Sequence, residues 1–399
     1  MTDKTNRRVL IVVENLPVPL DRRVWLEATT LAGQGYRVSV ICPTGRGWDA
    51  QYEEIDGVHI YRYPEPPEAH SGALSYAREW GGALWHMFRL ARTVRRERGF
   101  DVIHGCNPPD LIFLLALRYR LSGVRYLFDH HDVCPELFEA KFGNKGVLYK
   151  IMKLWERMTF ATAHVSMATN ESFREIAIRR GRMSPDDVFV VRSAPQIEKF
   201  KPGPADPEVK KGASTLIGYV GVIGQQEGMD LLVQAAEHLI HSLGHKDVHF
   251  AIVGFGPEVP NVIEDVKSRG LEPYFTFTGP LYGDDLLRVL NTADIGVAPD
   301  PKNEMNDIST MNKVMEYMTL EKPSVQFDLK EGRASAGDAS LYAMANDPQD
   351  FAAKLAELIE DPEKGHQMGL LGRARVLENL SWDHSAPHLL AAYDRVFDR

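Results

Sequence analysis

Residues Arg8–Cys42, RVLIVVENLPVPLDRRVWLEATTLAGQGYRVSVIC, decide the fold class. Arg8–Val13 is an apolar, β-branched run ending in a polar loop, the pattern of a strand buried on both faces of a parallel sheet. Asn15–Asp21 carries two prolines and is a loop. Arg22–Gln34 has helical spacing through Val24, Ala28 and Leu31 and is stopped by Gly33 and Gly35. Tyr36–Cys42 is the next strand and Val58–Tyr63 another. Strand, loop, helix, strand is a βαβ unit, so a parallel sheet covered by helices is expected. Ligands of such sheets sit beyond the carboxyl ends of the strands, which places Asn15, Asp21 and Arg22 at a candidate site edge. No G-x-G-x-x-G follows the first strand, so a classical dinucleotide site is not expected.

Working outward, Asp101–His104 is a short strand leading into Gly105–Asp110 (GCNPPD). Tyr126–Phe128 runs directly into Asp129-His130-His131-Asp132. Two histidines (His130, His131) and three carboxylates (Asp129, Asp132, Glu136) at a strand end make a polar site candidate, and Asn107 in the preceding strand-end loop is a further candidate. Adjacent histidines on a strand diverge, so no metal is expected there. Two helices, Trp80–Arg98 and Lys145–Phe160, are basic and amphipathic and carry tryptophan. They read either as ordinary covering helices with a solvated basic face or as a contact for an anionic membrane surface.

Lys199–Lys210 reads as a linker, after which the pattern starts afresh. Thr215–Val222 is a strand, Ile223–Gly228 a glycine-rich turn, and Met229–Leu243 a helix, an arrangement that aims backbone donors at an anion. His249–Val253, Phe275–Thr278 and Ile295–Ala298 continue the alternation. Asn303–Asp328 then supplies a loop, a helix expected from about Thr310, and a strand after Pro323. Met311, Val314, Met315 and Met318 form the apolar face of that helix, leaving Asn312, Lys313 and Glu316 on the other side. Asp307 and Ser309 are expected as its N-caps. The expected architecture is therefore α/β, with two doubly wound Rossmann-like domains facing a cleft. Their expected limits are 1–197 and 198–380, with a helix over 381–399 returning to the first domain.

The chain has 399 residues, 44% hydrophobic and 25% charged, long enough for two cores. Its net charge of −9 is divided unevenly: residues 1–200 hold 28 Lys+Arg against 24 Asp+Glu, and residues 201–399 hold 18 against 31. An acidic second half argues against nucleic acid as a partner. The longest apolar run, Leu111–Leu117, is far short of a membrane span, and Val9–Val13 ends too soon at Glu14 for a signal peptide. Three scattered cysteines (Cys42, Cys106, Cys134) suit a reducing cytoplasm.

Taken together, ENLPVPLDRRVW, FDHHDVCPE, YVGVIGQQEGMD, VGFGP, STMNKVMEYM and VQFDLKEGRASAG resemble glycosyltransferase family 4, over nearly the whole chain. Within it they are most similar to bacterial enzymes of surface polysaccharide assembly. The resemblance implies the GT-B fold and a retaining, metal-independent transferase without a cofactor. Its partners would be a nucleotide diphosphate sugar and a lipid-linked or glycan acceptor, handled in the cytoplasm or at the inner face of the plasma membrane. It implies that Glu316 holds the nucleotide ribose, that Ser309, Thr310 and Met311 meet the diphosphate, and that His131 lies near the transferred sugar. Gly221, Gly224, Gly228, Gly254, Gly256 and Gly279 would shape the donor site beside Asp307 and Asn312. The chain departs from the family at Ile308, where an E-x7-E motif has its first glutamate, and at Val222 and Glu227, where an arginine and a lysine usually meet the pyrophosphate. Lys313 is the best-spaced replacement cation, ahead of Arg192 and Arg333. These departures motivate one alternative, a catalytically weak partner subunit; a second is a nucleotide-sugar 2-epimerase, which shares the architecture but not the NKVMEYM signature.

Overall fold

The computed structural model describes residues 6–65, 73–143, 145–195 and 197–399; the side chains of 73–77, 141 and 142 are not described. The chain divides into two compact units, Met1–Ser193 with Trp382–Arg399, and Ala194–Ser381.

Unit 1 holds strands β1 (Arg8–Val12), β2 (Arg37–Pro43), β3 (Tyr52–Ile55), β4 (Val58–Tyr63), β5 (Val102–Cys106), β6 (Arg125–His130), β7 (Val165–Ala168) and β8 (Val188–Val190). They form one sheet in the order β3-β4-β2-β1-β5-β6-β7-β8. All neighbours are parallel except β3, which the sequence did not signal: it pairs antiparallel with β4 across Asp56-Gly57. Val9 to Val13 are buried to within 1% of zero exposure, as a central strand between β2 and β5 requires. Helices α1 (Arg22–Gly33), α2 (Ala73–Glu97), α3 (Phe113–Arg120), α4 (Cys134–Phe142), α5 (Val147–Thr162) and α6 (Glu171–Arg179) cover the faces. The strand order reverses between β1 and β5, so the loops that follow these strands open the ligand crevice of this unit.

Unit 2 repeats the plan with β9 (Thr215–Val222), β10 (Val248–Phe255), β11 (Phe275–Gly279), β12 (Ile295–Ala298), β13 (Ser324–Phe327) and β14 (Ser340–Ala343), ordered β11-β10-β9-β12-β13-β14 and parallel throughout. This is the doubly wound order whose switch point lies between the first and fourth strands, here β9 and β12. Its helices are α7 (Met229–Glu237), α8 (Val259–Ser268), α9 (Gly283–Thr292), α10 (Asn312–Thr319), α11 (Lys330–Ala336), α12 (Pro348–Glu360) and α13 (Pro362–Arg375).

The last helix, α14 (Trp382–Asp398), belongs to unit 1. Leu389, Ala392, Tyr393 and Val396 are buried in the same core as Val9 and Val38. Tyr393 OH is 2.8 Å from His104 Nδ1 on β5, and the Trp382 indole donates to Thr30 Oγ1 on α1 at 2.8 Å. The returning helix therefore packs on one face of the first sheet. Tyr393→Ala is expected to lower the stability of unit 1 by about 3–5 kcal/mol, the usual range for a large aromatic truncated in a core; urea unfolding followed by far-UV circular dichroism measures it.

Candidate functional site

In unit 2 the turn after β9 and the loop after β12 meet at the switch point. Gly228 has φ +68°, and a Cβ there would lie 2.1 Å from Pro299 O. Gly254 (φ +154°) faces Gly221 across the β9–β10 pair, where a Cβ would stand 1.9 Å from Gly221 O. These glycines are thus demanded by backbone contact within the unit, whatever else the turn binds. Asn306 ties the two loops together, its amide donating to Gln226 O (3.0 Å) and Pro301 O (2.8 Å). Gly224 opens the turn and Gly228 caps α7 with no side-chain hydrogen bond. Gly256 lies just past the end of β10 against Ile223, and Gly279 ends β11.

Helix α10 starts at Asn312, two residues later than the spacing suggested, with Met311 as N-cap. Asp307 and Ser309 do not cap it. The Ser309 hydroxyl instead donates back to Met305 O (2.8 Å), and Asp307 Oδ1 accepts from the Lys330 amide (2.9 Å). A short 3-10 turn over Asn306–Ile308 takes up the residues expected to lead into the helix. The helix is not amphipathic in use either: Asn312 is exposed, but Lys313 to Thr319 are all buried. Tyr317 explains why, since its hydroxyl accepts from Val220 N (3.1 Å) and donates to Val297 O (3.1 Å), drawing α10 down onto β9 and β12. Glu316 is buried with it.

Lys313 lies in a buried ion pair. Its ammonium donates to Asp300 Oδ1 and Oδ2 (2.8 and 3.0 Å) and to Glu227 Oε2 (3.2 Å), above the Tyr219 ring at 5.1 Å. Burial alone would lower the lysine pKa, but Asp300, Tyr219 and Glu227 outweigh it and hold the group well above the usual range. Burial pushes the Glu227 carboxyl up to about 7, with Asp300 adding to the rise against the lowering by Lys313. Asp300, which no sequence motif singled out, is therefore the main partner of the cation. Arg333 is likewise engaged, with Asp328 and over the Tyr342 ring. Arg192 belongs to unit 1.

At the switch point of unit 1, Asn107 organises the loop after β6. Its Oδ1 accepts from the amides of His131 (2.7 Å) and Asp132 (3.2 Å), and its Nδ2 donates to Asp110 Oδ1 (2.9 Å) and Asp132 O (2.6 Å). The two histidines diverge: His130 packs among Phe128, Phe160 and Phe173, where burial drives its pKa down to about 3. His131 Nε2 lies 2.5 Å from Asp129 Oδ2. Asp129 is fully buried and held in a fork by Arg23 (Nε 3.0 Å, NH2 2.7 Å), whose third nitrogen donates to Val191 O at 2.6 Å. Burial would raise the Asp129 carboxyl, yet Arg23 and His131 keep it well below the ordinary range. Glu27, buried beside it, moves the other way through burial and the charge of Asp129. Asp21 serves as the N-cap of α1, accepting from Val24 N at 3.1 Å; Arg22 and Asn15 are exposed.

Glu27, His104, Cys106 and Asp129 place donor atoms within 4.8 Å of one another, a set that could hold a metal ion. The Arg23 guanidinium already supplies the positive charge there, 3.2 Å from Glu27 and 2.7 Å from Asp129, which opposes a second cation.

Two family models match the chain: "Glycosyl transferase 4-like domain" over residues 20–194 and "Glycosyl transferases group 1" over residues 214–361. The chain belongs to glycosyltransferase family 4, and it is a glycosyltransferase of GT-B fold. It is 25% identical to alpha-maltose-1-phosphate synthase of Mycolicibacterium smegmatis over 69% of this chain and 74% of that one. Sucrose-phosphate synthase from Thermosynechococcus elongatus superposes with TM-score 0.78 at 14% identity, over 98% of this chain and 99% of the other. Anabaena HepE in complex with UDP-glucose does so with TM-score 0.73 at 14% identity, over 97% and 99%.

Asp129→Asn leaves the Arg23 guanidinium buried without its counter-ion. A loss of about 3–5 kcal/mol is expected in denaturant unfolding, with a smaller loss if Arg23 is replaced by methionine in the same background.

Proposed function

We propose that the chain is a retaining, metal-independent transferase that needs no cofactor and moves a sugar from a nucleoside diphosphate sugar to an acceptor hydroxyl. The carrying observation is that α7 and α10 both begin without side-chain caps, at the carboxyl ends of β9 and β12. Two sets of free backbone N–H groups with aligned dipoles are what a diphosphate requires. The UDP-glucose complex of HepE, on the same fold, supports a nucleotide sugar as donor. Glu316 would accept the ribose hydroxyls, and Ser309 to Met311 would meet the phosphates. In the retaining reaction the acceptor oxygen bonds to the anomeric carbon as the carbon–phosphate oxygen bond breaks. The acceptor proton passes to the leaving phosphate, and the protein supplies orientation and electrostatics. His131, fixed by Asp129, and the Asn107–Asp132 loop would serve the acceptor side.

We further propose a lipid-linked glycan of surface polysaccharide assembly as acceptor, met at an anionic membrane face. No described helix is long and apolar enough to cross a membrane. On α5, Val147, Ile151, Leu154 and Met158 form an exposed apolar stripe at i, i+4, i+7 and i+11, with Lys150 and Arg157 exposed on its flank. On α2, exposed Trp85 stands in a row with Arg78, Arg89, Arg92 and Arg96. Apolar groups bordered by cations suit an interface of acyl chains and anionic headgroups.

Glu316→Ala should abolish binding of UDP or GDP in calorimetry; unchanged affinity would sink the donor assignment. Glu227 is largely ionised above pH 7 and neutral below it. At pH 8, Glu227→Gln should therefore bind UDP about fivefold more tightly than the parent, as roughly 1 kcal/mol of charge repulsion implies, and the gap should close towards pH 6. Liposome flotation with anionic vesicles should show association that Leu154→Glu weakens and high salt reverses; failure to float removes the membrane contact.

A further inference from the structure

At the end of the unit 1 sheet opposite its crevice, a hollow of about 360 Å3 opens beside the amino ends of β7 and β8. Its walls are the last turns of α5 with Arg157 and Phe160, His164 just before β7, and residues 181–184 and Asp187 between α6 and β8. Asp187, the one carboxylate among the described lining residues, is already taken: Arg395 Nε donates to its Oδ1 at 2.8 Å and Arg399 to its Oδ2. The nearby Arg180 is likewise committed, to Glu136 and Glu156. Arg157 and Arg182 differ from these. Both are exposed, and neither side chain has a hydrogen bond or ion pair with any described residue. The loop that carries Arg182 is pressed against α5, since a Cβ on Gly181 would stand 2.6 Å from the Phe160 ring. Arg182 itself has a left-handed φ of +59°. Strain of this kind, at a residue other than glycine, collects at ligand sites.

His164 contributes a donor of fixed identity. Its Nδ1 accepts from the Tyr126 amide at 3.0 Å, which puts the proton on Nε2, and Nε2 has no acceptor among the described residues. Burial, with Arg120, Arg125 and Arg399 adding to it, lowers the pKa of this ring, so it stays a neutral donor at pH 7. Two unpaired guanidinium groups and a free imidazole N–H thus border one concave site. We propose that this hollow binds the phosphate monoester group of a small phosphorylated molecule. Such a dianion can accept from both guanidinium forks and from Nε2–H at once, through three equivalent oxygens. The volume lies at the low end of the range for small-ligand sites, enough for a phosphate and a short carbon unit. Phe160 and Met183 give that unit an apolar wall. The reaction proposed above takes place at the carboxyl ends of the strands, so the phosphate bound here is not the one that leaves the donor. Two sources carry the group. One is a soluble phosphate ester. The other is the headgroup of phosphatidic acid, because exposed Ala161 lines the hollow and continues the α5 stripe of Val147, Ile151, Leu154 and Met158. The binding itself does not rest on the proposed function.

The test is calorimetric titration of the full-length protein with glycerol 3-phosphate and with glycerol, at constant ionic strength and with UDP present to fill the donor site of unit 2. Glycerol 3-phosphate is expected to bind saturably at millimolar concentrations or below, and glycerol not to bind. The double variant Arg157→Gln/Arg182→Gln should weaken the phosphate ester at least about tenfold, as the loss of two exposed charge-assisted hydrogen bonds implies. Both arginines are exposed and unpaired, so an unchanged thermal midpoint is expected, and lost binding is then not lost folding. Flotation with phosphatidylcholine vesicles containing phosphatidic acid tells the two sources apart. With a lipid source, glycerol 3-phosphate displaces the parent from the vesicles beyond a chloride control, and the double variant floats less. With a soluble source, flotation ignores both the ester and the substitutions, while the calorimetric difference remains. No saturable binding of the ester, or equal binding by parent and double variant, overturns the inference. If UDP itself fails to bind, the donor assignment falls, and ester binding that the double variant loses still locates the phosphate in this hollow.

Discussion

A single buried guanidinium holds the functional end of unit 1 together. Arg23, the second residue of α1, grips Asp129 on β6 through two nitrogens and the carbonyl of Val191 beyond β8 through the third. One side chain thus fixes a helix and two strand ends that are separated by 106 and 168 positions in the chain. His131 takes its orientation from the same carboxylate, and Asn107 fixes the backbone that carries it. Behind them, Glu27, His104 and Tyr393 extend the polar cluster to the returning helix. Burying so much charge is costly unless each ionised group is paired. The cluster satisfies this by splitting its two carboxyls, one held ionised by Arg23 and the other driven towards the neutral form by burial.

Unit 2 solves a related problem in a different way. The cation of its site, Lys313, is bound by Asp300 and Glu227, so the positive charge is largely cancelled within the protein itself. What remains for an anionic ligand is the backbone, presented at the starts of α7 and α10. Such donors are fixed in direction and need no reorganisation when charge develops. Glycines at 228, 254 and 256 make this possible because the chain passes closer to itself there than any Cβ would permit.

The doubly wound fold was legible because parallel strands buried on both faces leave an unmistakable apolar run, and because the helix between them repeats at 3.6 residues. The strand β3 was not legible: its YEEI alternates weakly and only its antiparallel partner β4 defines it. Spacing sets the polar residues of α10 apart from its methionine face, but only the Tyr317 hydrogen bonds and the Lys313 ion pair account for the burial of Lys313 and Glu316. Asp307 and Ser309 have the chemistry of helix caps, but a tight turn spends their oxygens on other partners.

Residue type and spacing by themselves determined the central strands and the longer helices, that the pattern occurs twice, and that a glycine-rich turn follows the first strand of the second half. They did so because these properties are local and periodic. Only the tertiary structure decided that Asp300 neutralises Lys313, that Arg23 pairs with the buried Asp129, and that Glu14 and Asp110 line one cavity with Trp80 and Trp155. Those are contacts between loops gathered at strand ends from distant parts of the chain. Their partners are set by how the sheets are ordered, which no single stretch of sequence encodes.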